Sequence, residues 1–240
     1  VRATSETGLS IEKSFMIDIE DFNEEPVDIS LSKTSIDENL PVGSQVGVLS
    51  TLDEDNGSTH TYTLINGTGS GGNAFFSIEE DRLLTDVEFN FENTSSYSIR
   101  LQSKDEGGLF TQKIINISIS DQNDAPSKIE LSNTEIVEER PIGTIVGRLS
   151  TVDEDAGDTH AYALVNGTGS EDNSFFAITG SELKVAKILD FETKAFYSLR
   201  VRSTDNSSAS LETSFTVSLI DSTENNRPTD IFLSKSAIQE

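Results

Sequence analysis

The feature that most constrains this 240-residue sequence is an internal repeat with an offset of 100 residues. Between Pro26 and Ile78, 31 of 53 residues are identical to those 100 positions later. The offset continues to the pair Asp121 and Asp221, after which two inserted residues move the next proline to Pro228. A period this long predicts tandem domains, because about 100 residues can bury a core of their own. We expect four segments. Residues 1–25 are the last strands of a preceding copy, residues 26–125 and 126–227 are two whole copies, and residues 228–240 are the first strand of a following copy.

Alternation of apolar and polar residues predicts β-strands along both copies. The clearest strand places Ile115, Ile117 and Ile119 on one face, since side chains alternate across a strand. The pattern recurs 100 residues later and also in residues 15–19 of the N-terminal tail. No apolar stripe with helical spacing is present. Roughly seven short strands per copy predict an all-β fold of tandem β-sandwiches.

Charge and composition exclude several classes of function. The 42 acidic and 17 basic side chains give a net charge of −25, which argues against a nucleic-acid binder or a protein attracted to an anionic membrane. The lack of cysteine excludes disulfides and thiol chemistry within this sequence. No run of about 18 apolar residues is present to span a bilayer. We expect a fragment of a longer protein, without direct membrane insertion by this segment.

Acidic residues recur at fixed places in both copies. In the first copy these are Glu38 before a Pro-x-Gly turn, the segment 53–55 before a glycine, Glu92 after a phenylalanine, Asp105 at a strand end and the run 121–124. Turns that face solvent are also rich in Asp and Asn. Repetition in a fixed order nevertheless favours ligand clusters over solvated turns.

In the order they take within a repeat, with examples from both copies, these motifs read IDEN, DEDNG, ILDFE, VRSTD and DQNDAP. The sequence therefore resembles the cadherin repeat over all 240 residues. Its DAGDTHAYALVNGTGS stretch and NDAP linker are similar to the cadherin-like repeats of large bacterial surface proteins. The resemblance implies seven-stranded Greek-key sandwiches, an extracellular location on the cell surface and calcium ions held between successive copies.

The resemblance also implies which residues bind the calcium. The central junction would use Glu38, Glu92, Asn123 and Asp124 with the carbonyls of Gln122 and Ala125, then Asp153, Asp155 and Asp205 with a carbonyl near Asp158. The junction before it would use Asn23, Glu24, Asp53, Asp55 and Asp105, and the one after it Glu138, Asp190, Glu192 and Glu224. Oxygen ligands without cysteine suit Ca²⁺ or Mg²⁺ rather than a transition metal. Carboxylates about 4 Å apart repel by about 1 kcal/mol in water, so a bound cation would stiffen a chain that is otherwise jointed.

These observations predict a calcium-binding extracellular spacer or adhesion segment of a larger surface protein, with other cell-surface proteins as partners. The alternative is a polysaccharide-binding module with structural calcium, in which an exposed ring of Phe75-Phe76 could stack on a sugar. A third hypothesis is homophilic adhesion, in which tail strands complete a second molecule's sandwich. No enzyme is expected, because each carboxylate pair is duplicated in register and no nucleophile–His–acid set is visible. His60 and His160 are expected to pack loops.

Overall fold

The computed structural model describes residues 1–20 and 22–222. The chain divides into two compact units, Val1–Gln122 and Asn123–Glu240. This division falls three residues before the boundary expected at 125/126. The strand expected at 228–240 lies outside the described residues.

The first unit contains a β-sandwich of eight strand segments. They are β3 (Asp28–Leu31), β4 (Ser35–Asp37), β5 (Gln45–Leu52), β6 (His60–Leu64), β7 (Phe76–Glu79), β8 (Arg82–Thr85), β9 (Ser96–Asp105) and β10 (Phe110–Ser120). A 3₁₀ turn at Asn73–Phe75 precedes β7. Two four-stranded sheets result, in the orders β3-β5-β8-β7 and β4-β10-β9-β6.

The first strand of this sandwich is shared between the two sheets. β3 pairs antiparallel with β5, and β4 pairs parallel with β10 in the other sheet. The sequence predicts seven strands, and the structure shows eight segments because this strand switches sheets between residues 31 and 35. The chain also crosses between the sheets from β5 to β6, from β6 to β7 and from β8 to β9, as a Greek-key sandwich requires.

The second unit repeats this architecture. Its strands are β11 (Lys128–Leu131), β12 (Glu135–Val137), β13 (Ile145–Val152), β14 (Ala161–Leu164), β15 (Phe176–Thr179), β16 (Glu182–Val185), β17 (Phe196–Thr204) and β18 (Ser210–Ile220). The sheets have the orders β11-β13-β16-β15 and β12-β18-β17-β14, with β12 parallel to β18. The all-β sandwich prediction is confirmed in both units.

The core of each sandwich lies between its two sheets. In β10, Ile115, Ile117 and Ile119 are buried, as their alternation predicts, while Ile114 on the outer face is 46% exposed. Leu101 of the neighbouring strand is also fully buried. Burying such side chains supplies about 1.5–3 kcal/mol each, and it fixes the register because a slip of one residue would turn them outward.

The N-terminal tail differs from its prediction. It forms two short antiparallel strands, β1 (Arg2–Thr4) and β2 (Ser10–Glu12), and residues 13–20 lie outside any strand. Phe15, Ile17 and Ile19, expected on one strand face, are 60%, 84% and 94% exposed. The matching strand β10 has a neighbour on each side, whereas residues 13–20 pair with no strand among the described residues. An alternating apolar and polar sequence therefore forms a strand only where a neighbouring strand pairs with it.

Candidate metal centre

The Glu38 cluster is formed by Glu38, Glu92 and Asp121, which each place one carboxylate oxygen within 4.8 Å of the others. Glu38 follows β4 and is only 1% exposed, whereas the other two are at the surface. Its carboxylate accepts the backbone N–H of Phe91 and, at 2.9 Å, that of Gln122. Glu38 therefore fastens the end of the sandwich to the chain that leaves it, and the cluster's other oxygens face outward.

The Glu138 cluster repeats this arrangement in the second unit with Glu138, Glu192 and Asp221. The backbone N–H groups of Phe191 and Ser222 donate to Glu138 at 2.7 and 2.8 Å, and they hold the pKa of its carboxyl below the ordinary 4.5. For Glu192, a hydrogen bond from its own backbone lowers the pKa, but burial and the charges of Glu138 and Asp221 outweigh it. The pKa of Glu192 is therefore raised, which shows that negative charge is concentrated here.

The Asp155 cluster lies at the other end of the second unit and contains Asn123, Asp124, Asp153, Asp155, Asp158 and Asp205. The backbone N–H of Asp124 donates to Oδ2 of Asp155 at 2.7 Å. The side-chain amide of Asn123 donates to Oδ2 of Asp205 at 3.1 Å. These bonds fix the first two residues of the unit beside the carboxylates that the sequence predicts as their co-ligands.

Asp153 and Asp205 are held in place from within the second unit. Oδ2 of Asp153 is 2.8 Å from Nε2 of His160, so this nearly buried histidine orients a carboxylate as well as packing its loop. Asp205 follows β17 and is 6% exposed. Burial raises the pKa of Asp205, but donation from Asn123 and from the backbone of Ala209 outweighs it and lowers the pKa below 3.8.

The Asp55 cluster is the same arrangement in the first unit, made of Asn23, Glu24, Asp53, Asp55 and Asp105. The backbone N–H of Glu24 donates to Oδ2 of Asp55 at 2.8 Å, and the amide of Asn23 donates to Oδ2 of Asp105 at 3.1 Å. His60 lies 2.8 Å from Oδ2 of Asp53. The pKa of Asp53 is lowered, first by the backbone N–H of Asp55 and then by His60.

Some predicted ligands have other contacts, and the clusters contain acids that the sequence analysis left out. The carboxylate of Asp190 accepts the N–H and hydroxyl of Thr193 at 3.0 and 2.8 Å, which caps a turn and lowers its pKa. Glu224 lies outside the described residues, and the carbonyl ligands expected from Gln122 and Ala125 stay predictions. Sequence reasoning missed Asp121 and Asp221, although both open the repeated linker motif, and it assigned only a nearby carbonyl around Asp158.

The donor set of these clusters fits calcium. The candidate ligands are carboxylates together with the side-chain amides of Asn23 and Asn123, and a hard divalent cation prefers the oxygens of such groups. Oδ2 of Asp158 is buried without a hydrogen-bond partner among the described residues, and it lies close to Asp153 and Asp205. A buried anionic oxygen without a donor is costly, and a cation would compensate for it.

Acid is expected to destabilise the second unit through Glu138. Because the folded-state pKa is below the ordinary 4.5, the carboxylate contributes stability above about pH 4.5 that is lost as the pH falls through the folded value. We expect the unfolding free energy in chelator to fall between about pH 5 and pH 3. Glu138→Gln should lower it at neutral pH and flatten this acid limb. Urea unfolding at each pH measures both; equal acid limbs in the two proteins would contradict the prediction.

A cadherin domain family model matches residues 132–220. Mouse cadherin-24 is 31% identical over 214 residues, which cover 80% of this chain and 26% of that protein. Human protocadherin Fat 4 is 29% identical over 199 residues, 79% of this chain and 4% of that protein. The chain thus spans about a quarter of the length of cadherin-24.

Solved structures of protocadherins are also similar to this chain. PcdhgB3 EC1-4 superposes with a TM-score of 0.60 at 28% identity, covering 85% of this chain and 51% of that one. Human protocadherin-24 EC1-2 has a TM-score of 0.61 at 22% identity, covers 81% of this chain and 100% of that one, and shares the fold. The cadherin domain is a non-enzymatic, extracellular adhesion module, so the expectations of an extracellular segment and of no enzyme are confirmed.

Among residues 1–20 and 22–222, no helix combines the length and apolarity needed to cross a membrane.

The split first strand, the two sandwiches and the repeated acidic motifs all agree with the family match. Residues 132–220 therefore form a cadherin domain, and this chain is built from cadherin repeats.

Proposed function

We propose that this chain is a calcium-binding, calcium-rigidified spacer or adhesion segment of a larger extracellular surface protein. The observation that carries the proposal is the Asp155 cluster, in which a linker backbone N–H is bonded to Asp155 and a buried oxygen of Asp158 has no donor. Calcium satisfies such a set because it takes 6–8 oxygen ligands in a flexible geometry.

The linker, residues 121–126, is where calcium would act. Asp121 belongs to the Glu38 cluster, and Asn123 and Asp124 belong to the Asp155 cluster. Ions bound at both clusters would restrict the few backbone torsions between them. Extracellular calcium modules bind at about 10⁻⁴–10⁻³ M, so calcium outside the cell would keep the linker ordered.

The adhesion partner is proposed to be another cell-surface protein, a second copy of this chain included. The polysaccharide-binding alternative has no support in the relatives, and Phe75 packs against Tyr97 with ring centroids 4.8 Å apart. A bacterial surface protein as the parent stays a prediction from the DAGDTHAYALVNGTGS stretch.

Small-angle scattering tests the rigidifying role. We expect calcium to increase the maximum dimension of the full chain relative to chelator, because a jointed chain samples compact arrangements that a stiff one does not. Asp124→Ala should reduce this response, and Asp81→Asn, an exposed acid in the β7–β8 hairpin, should leave it unchanged. Identical scattering curves with calcium and with chelator would contradict the proposal.

A further inference from the structure

The two sandwiches differ at two positions of an otherwise matched loop, and only one of these differences changes the charge. Residues 53–60 read DEDNGSTH and residues 153–160 read DEDAGDTH, so Ser58 in the first unit corresponds to Asp158 in the second. The backbone of the turn is the same, because the N–H of each of these residues donates to the carbonyl of Asp55 or Asp155, at 3.4 and 3.3 Å. The substitution therefore adds a charge without changing the turn.

The surroundings of Asp158 already contain two carboxylates. Asp153, Asp158 and Asp205 each place one oxygen within 4.8 Å of the others. Asp153 is bonded to His160 at 2.8 Å, and Asp205 accepts the amide of Asn123 at 3.1 Å. Oδ2 of Asp158 is buried and has no hydrogen-bond partner among the described residues.

A third acid in this place has no structural benefit without a cation. The turn forms equally well with Ser58, so Asp158 is not needed to shape the backbone. Its buried oxygen adds repulsion toward Asp153 and Asp205 and forms no compensating bond. A divalent cation reverses the sign of each of these interactions.

We propose that the side chain of Asp158 is an additional calcium ligand, which makes the Asp155 cluster bind calcium more tightly than the Asp55 cluster. The affinity of calcium sites depends on the number of charged ligands. The second unit offers Asp153, Asp158 and Asp205, where the first offers two carboxylates and a neutral hydroxyl. This inference rests on the proposed calcium function. It concerns only the difference that residues 58 and 158 make, because the central junction is also predicted to have Glu38 and Glu92 as ligands.

Exchange of the two residues tests the inference in the full chain. Calcium titration followed by NMR reports the sites separately through the amides of Gly57 and Gly157, which stand beside positions 58 and 158. We expect Gly157 to respond at a lower calcium concentration than Gly57. Asp158→Ser should weaken binding at Gly157 by about tenfold or more, and Ser58→Asp should strengthen it at Gly57. Asp81→Ser is the control for loss of an exposed charge and should change neither.

Melting temperature gives a second readout that a structural role would not reproduce. Asp158→Ser should raise the melting temperature in chelator, because the repulsion is removed, and lower it in calcium, because a ligand is lost. Asp158→Asn keeps the size of the side chain and should show the same change of sign. A decrease in both conditions would overturn the inference.

The outcomes separate this inference from the proposed function. If wild type binds calcium and Asp158→Ser binds it equally well at Gly157, Asp158 is not a ligand while the calcium function stands. If neither glycine amide of the wild type responds to calcium, the proposed function itself fails, and this inference fails with it.

Discussion

Removal of calcium is expected to lower the melting temperature of this chain by roughly 10 °C or more. A ligand that binds only the folded state stabilises it by about 2.7 kcal/mol when its concentration is 100 times Kd. In a domain of about 100 residues, 1 kcal/mol shifts the melting temperature by about 4–8 °C. Calorimetry in about 10 mM calcium and in excess chelator measures the difference, since extracellular calcium modules bind at about 10⁻⁴–10⁻³ M.

Magnesium is the control for this experiment, because it tests whether any divalent charge would have the same effect. Magnesium at equal concentration screens surface charge to the same extent but demands a stricter octahedral geometry, and we expect it to restore much less stability. The Asp124→Ala variant should lose part of the calcium response, because Asp124 lies in the Asp155 cluster. If wild type melts at one temperature in calcium, magnesium and chelator, no cation is bound at these clusters.

Glu38→Ala is expected to destabilise the first unit by about 2–4 kcal/mol even in chelator. The carboxylate is 1% exposed and accepts the backbone N–H groups of Phe91 and Gln122. Leaving a buried donor without an acceptor costs about 1–3 kcal/mol. Denaturant unfolding measures the loss, and faster hydrogen exchange at the amides of Phe91 and Gln122 locates it.

Glu92→Ala is the matched control, because Glu92 belongs to the same cluster but is exposed. It should weaken calcium binding and have a much smaller effect in chelator than Glu38→Ala. Equal losses of stability in chelator would contradict the assignment of Glu38 as a buried structural residue and of Glu92 as a surface ligand. If Glu38→Ala were as stable as wild type, the hydrogen bonds of Glu38 would contribute nothing to the fold.

Much of the fold follows from the sequence. Strand periodicity can be read over a few residues, and the 100-residue repeat shows the same pattern twice. Ile115, Ile117 and Ile119 are buried as their spacing predicts. The sheet switch between β3 and β4 depends on two different partner strands, β5 and β10, and no local pattern encodes it. Phe15 shows the opposite failure of local patterns: it lies in an alternating apolar segment, but the structure has no strand there.

The candidate site was predictable in its residue types and less so in their individual roles. Repetition singles out Glu38 and Asp155, because their motifs recur in order. It does not show that Asp190 is engaged by Thr193, since a turn cap and a ligand have the same residue type. It also overlooks Asp158, which has no acidic counterpart at Ser58 and becomes visible only through its buried oxygen.

The parallel pairing of β4 with β10 has a mechanical consequence. These strands lie near the start and the end of the first unit, so a pull on the two ends draws them in opposite directions along their length. The bonds from Ser118 N–H to the carbonyl of Thr34 (2.9 Å) and from Glu38 N–H to the carbonyl of Ser120 (3.1 Å) would then be sheared together rather than opened one at a time. A force applied along the chain would have to break this whole patch at once before the unit could unravel.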